Sequence, residues 1–574
     1  MPNETKASGT DISYTTLALP KLSALDRAKT SDDRKKAVEV ANQELEELRR
    51  VTSAFQARRN HLVPIGRLPP EMIAHVFSFA VLVDPVLLGI PVSPVRKMKQ
   101  LVLGWIKVTH VCKHWRQIAL SNPTLWAHLP CLSREWCKEA MARARPLPFI
   151  IQADTGSTWS PRIKAALSKA FSALSNTRVL DLTAIPQVLM SVIGTPISAA
   201  PELQVVRLSV AGERNLVSVF PQDVMDISLP RLSSLELINC HFQWSSSIYR
   251  SELLAHLEIR FFEGSQLSGD LAESQVFPME QLLDVLQTAS ALRTLILVNA
   301  CPPVPQASEA ASVSRLISVP RLSSLKTTSF SLLAGAYLLA HLRLPAEASV
   351  LLRSTSPRSP RLPQVLPWLM TPCISREPDV RPITTLGISL TTGPSVHIVF
   401  TMYDVDMDPF SANAHTPRYE VAFTSSLHEC QEQMTLLCTT LPVHSVETLI
   451  LVGSHFATVS WWHRTFENMK NVRTVVQDSP RSAGQFIPAL MVRMSSAPDG
   501  PVIFPRLEML AYRSAGNLGS FATIEEFPAD LRRRERLGYP IKKLHIADPR
   551  VDRVVRDELA KVVPQVVWRR SRTR

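Results

Sequence analysis

The sequence predicts an α+β chain in two parts: a small N-terminal all-α module, then a long α/β region of stacked strand-and-helix units, an irregular solenoid. Three observations carry this. Apolar residues recur at helical spacing through residues 31–60 and 62–130. From about residue 146 the grammar changes to short apolar strands separated by 20–40 residues. Within that second part, the phrase Pro230-Arg231-Leu232-Ser233-Ser234-Leu235 recurs literally as Pro320-Arg321-Leu322-Ser323-Ser324-Leu325.

Residues 1–30 are polar and aperiodic, so they are expected to be disordered. Ser31-Asp32 opens a helix expected to run to about Asn60. Val38, Ala41, Leu45, Leu48, Thr52 and Phe55 alternate three and four apart, a coiled-coil-like stripe. It lasts only two to three heptads and Thr52 interrupts it, so the helix is expected to pack back on its own chain, with self-association as a short coiled coil the alternative.

The next stretch, 62–130, reads as two amphipathic helices and an anchor. Leu68-Pro69-Pro70-Glu71 starts the first: proline suits the opening turn and Glu71 faces the positive end of the helix dipole. Ile73, Val76, Phe77 and Ala80 give it one oily face. The second places Trp105, Val108, Val111, Cys112, Trp115, Ile118 and Ala119 on a stripe opposite Lys107, His110, Lys113, His114 and Gln117. Asn122-Pro123 ends it, and Leu125-Trp126 follows. Residues 84–103 are an insertion between the two helices, and 134–145 reads as a further helix.

These parts resemble the F-box in the form common among mushroom-type fungal proteins. The LPxE start stands at Leu68-Pro69-Pro70-Glu71, the V-C-x-x-W-R helix at Val111-Cys112-Lys113-His114-Trp115-Arg116, and the closing pair at Leu125-Trp126. The resemblance implies a module that plugs into a Skp-type adaptor and, through it, a cullin ubiquitin ligase. The residues it assigns to adaptor contact are Leu68, Pro69, Ile73, Val76, Phe77, Val111, Cys112, Trp115, Leu125 and Trp126. A module of roughly 45–60 residues is too small to bury all its apolar surface alone, so a partner groove is physically sensible. The insertion departs from the compact form and keeps open a second reading, a binding scaffold outside any ligase.

In the second part, Leu-x-x-Leu-x-Leu with Asn or Cys three further on is the leucine-rich-repeat template. Leu232, Leu235, Leu237 and Cys240 fit it fully, with Phe242 at the next apolar site. Looser copies start at Leu203, Leu254, Leu292, Val446, Leu507 and Ile541; Thr177, Leu322 and Val472 match less well. Residues 146–574 are therefore expected to form an irregular leucine-rich-repeat-like solenoid, helices such as 279–288 suiting its convex side. The pattern lapses in the middle. Residues 354–382 hold seven prolines and read as a surface loop, and 383–424 reads as a three-stranded antiparallel insertion. Side chains between the template leucines project from the strand face. Asp181, Arg207, Glu236, Glu258, Arg260, Lys326 and His545 are the candidate substrate-reading residues there.

At 574 residues and 45% hydrophobic content, the chain is no wholly disordered protein. Its start lacks a signal pattern, its longest oily run is too short for a bilayer span, and its eight cysteines form no C-x-x-C pair. The expectation is a soluble protein, cytoplasmic or nuclear, without membrane, metal or other cofactor. Net charge is +13, of which residues 531–574 supply +9 through fourteen Lys/Arg against five Asp/Glu. Arg532-Arg533-Arg534 and the tail after Trp568 are expected as a solvated face. An acidic or phosphorylated partner and a nuclear-import patch are the functional alternatives. No aromatic interleaving supports nucleic-acid binding.

Chemical motifs fail on inspection. Asp404, Asp406 and Asp408 begin a calcium loop, but Pro409 stands where the turn glycine belongs and His415 where the bidentate Glu belongs. His110 and His114 have zinc spacing without a third ligand. No nucleophile elbow, Walker loop or dinucleotide turn is present, so the sequence argues for a non-catalytic binding protein.

Overall fold

The computed structural model describes residues 14–84, 86–88, 101–129, 131, 133–156, 161–194, 199–211, 216–221, 226–263, 266–267, 278–304, 315–357, 361–374, 382–393, 395–405, 416–453, 458–477, 485–493, 502–513, 527–546 and 553–568. The chain divides into two compact units, one within Met1–Ala127 and Ala142–Pro146, the other within His128–Met141 and Leu147–Arg574.

The first unit is helical. Where disorder was expected, Tyr14–Leu25 is a helix tied to the next by Lys21 Nζ, 2.6 Å from Glu44. Residues 1–13 lie outside the described residues. The helix Ser31–Leu62 starts from a capping box: Thr30 Oγ1 accepts the Asp33 N–H and the Asp33 carboxylate accepts the Thr30 N–H. None of its residues is buried, which corrects the expectation that it packs back on its own chain.

Pro70–Val83 forms the first helix of the 62–130 stretch, with Pro69 at its N-cap and Pro70 in its first turn. The insertion leaves through the antiparallel pair Leu87–Leu88 and Leu101–Val102. Its two ends close on each other: Trp105 N–H donates to the Asp84 carbonyl (2.7 Å), and Lys107 Nζ lies 3.3 Å from the Asp84 carboxylate. The helices therefore keep a fixed relation despite the extra length. The second helix, expected to be continuous, is broken into the 3-10 helix Gly104–His110 and the α-helix Lys113–Ser121. Cys112 is extended and its Sγ accepts the Trp115 N–H, so this residue caps the second piece instead of lying on a stripe. Asn122 caps the single turn Pro123–Trp126. Edge-to-face pairs Phe77–Trp115 and Trp105–Trp126, each with centroids 5.2 Å apart, fill the centre. Trp126 Nε1–H donates to the Ala119 carbonyl at 2.8 Å.

The second unit is built on one large, mostly parallel sheet. Strands pair in chain order from His128–Leu129 through Phe149–Gly156, Thr177–Ala184, Val205–Val210, Ser234–Ile238, His256–Arg260, Thr294–Val298, Ser324–Ser329 and Ser349–Ser354. Template positions align across strands: Leu180, Val206, Leu235, Leu257, Leu295, Leu325 and Val350 share one register row. All seven are buried. Even the poorest copies form strands. Val472 and Val475 are fully buried, and Thr327, at the third leucine site of its copy, is accepted because the Cβ-less Gly335 lies against its hydroxyl. A turn recurs two residues past that third site, with φ of 56° at Asn239, 52° at Asn299 and 89° at Gly453. Asn and Gly tolerate this left-handed backbone best. The template cysteine, Cys240, donates to the Leu208 carbonyl of the preceding strand. The recurring Pro-Arg-Leu phrase has a use as well: Arg231 reaches back to Glu202, and Arg506 to Asn471, each one unit earlier.

The three strands at Thr385–Thr392, Val396–Tyr403 and Tyr419–Ser425 are antiparallel to one another, but they belong to the sheet itself. Tyr419–Ser425 pairs parallel with Ser349–Ser354, and Thr385–Thr392 pairs parallel with Thr448–Val452. Chain order and spatial order are thus reversed across this meander. The sheet then continues through Thr474–Gln477, Met509–Tyr512, Lys543–Ile546 and Gln565–Trp568, and among the described residues no pairing joins its last strand to its first. The proline-rich stretch is also corrected: Leu362–Ile374 is a helix. Leu362, Val365, Leu366 and Leu369 bury one stripe, and that burial outweighs the prolines.

A smaller three-stranded sheet joins Leu216–Phe220, Cys240–Phe242 and Gln266–Leu267. It holds His241, fully buried, with Nδ1 3.2 Å from the Tyr249 hydroxyl. Burial pushes the imidazole pKa down to about 3. The unfolded chain takes up this proton near pH 6.5 and the folded chain does not, so stability is lost as pH falls from about 6.5 toward 3. The slope from this group approaches 1.4 kcal/mol per pH unit, so about 2 kcal/mol is expected to be lost by pH 5. Urea unfolding at pH 7 and pH 5 checks this, because a His241→Gln chain should lack that part of the pH dependence.

The basic C-terminal run is only partly a solvated face. Arg533 is exposed and Arg532 pairs with Glu558 at 2.6 Å, but Arg534 is fully buried. The tail 569–574 lies outside the described residues.

Candidate functional site

The helix Pro70–Val83 carries two apolar stripes. Ile73, Phe77 and Val81 face inward and are at most 5% exposed. Met72, Val76, Phe79 and Val83, four, three and four apart, are 51%, 47%, 56% and 83% exposed. A helix in a self-sufficient domain needs one such stripe. The second leaves four large side chains in water, and covering them recovers on the order of 1 kcal/mol each. Leu68, ahead of the helix, and Val111, at the break between the two later helical pieces, are exposed too.

The ten residues assigned to adaptor contact therefore separate. Leu68, Pro69, Val76 and Val111 are exposed. Cys112 and Trp115 are half-buried, one as a cap and the other against Phe77. Ile73, Phe77, Leu125 and Trp126 are buried in the unit's own core, where Trp126 also lies under the Arg143 guanidinium. These four hold the module together and offer no surface. Met72, Phe79, Leu82 and Val83 are exposed apolar residues that the motif did not mark. The signal for them was present in MIAHVFSFAVLV, which is apolar on more than one face.

On the second unit, the position between the second and third template sites makes one continuous row over the open face. Gln152, Asp181, Arg207, Glu236, Glu258, Ile296 and Lys326 are register partners in that order. Gln152 donates to Asp181 (3.2 Å), Arg207 Nε to Glu236 (2.8 Å), and Arg260 pairs with Glu258. His256, not anticipated, stands 3.4 Å from Glu258 and 3.9 Å from Glu236. Burial is the largest influence on Asp181 and raises its carboxyl above the usual range. Lys326 is exposed. Beyond Lys326 the row runs through Leu351 and Glu420, the latter paired with Arg353 at 2.6 Å. After the meander the row becomes Ile450, Val476, Ala511 and His545. His545 is buried in this apolar stretch, which removes it from the candidate surface residues. The apolar identity of Ile450, Val476 and Ala511 at equivalent positions was the available warning.

Neither near-miss motif gathers ligands. His110 is exposed, and His114 places its ring 5.6 Å from that of His61. Asp406, Asp408, Pro409 and His415 lie outside the described residues. Among the described residues no group of three or more His, Cys, Asp or Glu is placed to hold a metal ion, and no helix is long and apolar enough to cross a membrane.

The family model for F-box-like domains matches residues 65–131. No curated protein matches the chain. The chain thus carries an F-box-like domain, and its two apolar stripes lie inside the matched residues.

Proposed function

We propose, from the F-box-like domain at residues 65–131, that this chain is the substrate-receptor subunit of a Skp–cullin–F-box ubiquitin ligase. The observation that carries the reading is the bare stripe Met72, Val76, Phe79 and Val83 on a helix whose other face already fills the core. Such a stripe suits a partner's helix groove, the contact an adaptor would make.

The parallel, in-register strands of the second unit support its reading as a leucine-rich-repeat-like solenoid that holds a target protein. Its charged row from Asp181 to Lys326, with Arg260 beside it, is the proposed substrate-reading surface. In this role the chain performs no bond chemistry. It raises the local concentration of a target at an enzyme supplied by the complex. Affinity capture of the tagged full chain is expected to recover a Skp-type adaptor and a cullin together with client proteins. Clients recovered without adaptor would favour the scaffold reading and overturn the ligase one.

A further inference from the structure

Charge is unevenly spread over the open face of the second unit's sheet. Across its first strands Asp154, Asp181 and Glu236 stand with one guanidinium, Arg207, which leaves that end acidic. On His256–Arg260 the charges cancel, because Arg260 pairs with Glu258. Beyond that strand the row changes character. Lys326 is exposed, and among the described residues it makes no hydrogen bond or ion pair. Its register neighbours are Ile296 on one side and Leu351 on the other, both half-buried. Arg353, two residues past Leu351, is already taken by Glu420, through Nε at 2.9 Å and Nη2 at 2.6 Å. After the meander the row is apolar and buried at Ile450, Val476 and Ala511, so its open part ends near Glu420.

This arrangement says what should lie on the face. An ammonium between two aliphatic side chains, with no counter-ion, is matched by a single negative charge that brings apolar neighbours of its own. A carboxylate meets that description. A phosphate carries nearly two charges and favours several donors, and the guanidiniums of Arg260 and Arg353 are already engaged by carboxylates. The acidic end asks for the opposite charge. Five strand steps at about 4.8 Å each put Lys326 about 24 Å from Asp181, and an extended chain at about 3.3 Å per residue covers this in about seven residues.

From this we infer that the face binds an extended segment of a target protein in which an acidic side chain sits between aliphatic ones, with a basic residue about seven positions away. The acidic side chain meets Lys326 over Ile296 and Leu351, and the basic one meets Asp181 and its neighbours. Because the segment crosses the strands, side chains read it and backbone pairing does not. The inference rests on the reading of this row as the target-holding surface and supplies its chemistry. Fluorescence anisotropy on the full-length chain tests it with labelled nine-residue peptides: lysine first, aspartate eighth between two leucines, serine and threonine elsewhere. The wild type is expected to bind this peptide at least about tenfold more tightly than one with lysine in place of the aspartate. Lys326→Glu, a change at an exposed side chain, should invert that preference while leaving the thermal melt unchanged. Serine in place of both leucines should also weaken binding. No binding at millimolar peptide, equal binding of the two charge forms, or tighter binding of a phosphoserine version would overturn the inference. Client capture by Lys326→Glu separates the two readings. Clients lost without any peptide preference would leave the surface reading standing and remove only this occupant, whereas clients and peptides both indifferent to the change would remove both.

Discussion

A chain carrying Val76→Asp and Phe79→Asp is expected to lose adaptor capture by roughly 100-fold or more while melting within a degree or two of the wild type. Both side chains are about half exposed, so neither change opens a cavity or buries a charge in the free protein. In a complex, each carboxylate would be desolvated against an apolar groove, at a cost of about 2 kcal/mol or more apiece. Phe77→Ala is the informative contrast. Phe77 is 1% exposed and packs edge-on against Trp115, so its truncation should destabilise the module by about 3–5 kcal/mol. Pull-down against a Skp-type adaptor, read beside a thermal melt, distinguishes lost surface from lost fold. Undiminished capture by the double variant would remove the docking face from consideration.

Arg534→Ala is expected to cost the second unit about 3–5 kcal/mol, a penalty set by the groups left behind. The guanidinium donates to the carbonyls of Leu490 (2.7 Å), Phe504 (2.7 Å) and Ile503 (3.3 Å), tying the helix Phe527–Arg536 to two preceding segments. Burial pulls its pKa down to about 10, still far enough above neutrality that the side chain stays charged. Alanine would leave three buried acceptors without this donor and a cavity beside them. Lysine should recover only part of the loss, because an ammonium cannot reproduce the planar fork. Urea titration of the three chains gives the ranking, and an alanine variant within 1 kcal/mol of wild type would show that water replaces the guanidinium without penalty.

Much of the fold was legible wherever a side-chain pattern has a single physical cause. Template leucines bury because period-two alternation sends them to one face, and that holds from Leu180 through Leu544. The LPxE and V-C-x-x-W-R elements marked the F-box-like domain for the same kind of reason. What escaped depended on contacts distant in sequence. The break at Val111-Cys112 needs Cys112 extended with its sulfur capping Trp115, and helical periodicity is blind to such an exchange. The proline-rich count concealed the Leu362, Val365, Leu366 and Leu369 stripe. Within the candidate site, motif membership marked Ile73 and Phe77 alongside Val76, although helix geometry puts them on different faces. Arg534 looked like part of a solvated run because its three carbonyl partners lie 30 to 44 residues away.

The reversed meander has a consequence for how the chain is made. Most strands find their neighbour as soon as the next unit emerges, whereas Ser349–Ser354 must wait for Tyr419–Ser425, the last of the three to be synthesised. At translation rates of about 5–20 residues per second, the edge of that strand turned away from Ser324–Ser329 stays unpaired for roughly 3–13 s. During that interval the nascent polypeptide presents an open sheet edge, the kind of surface that pairs with other chains.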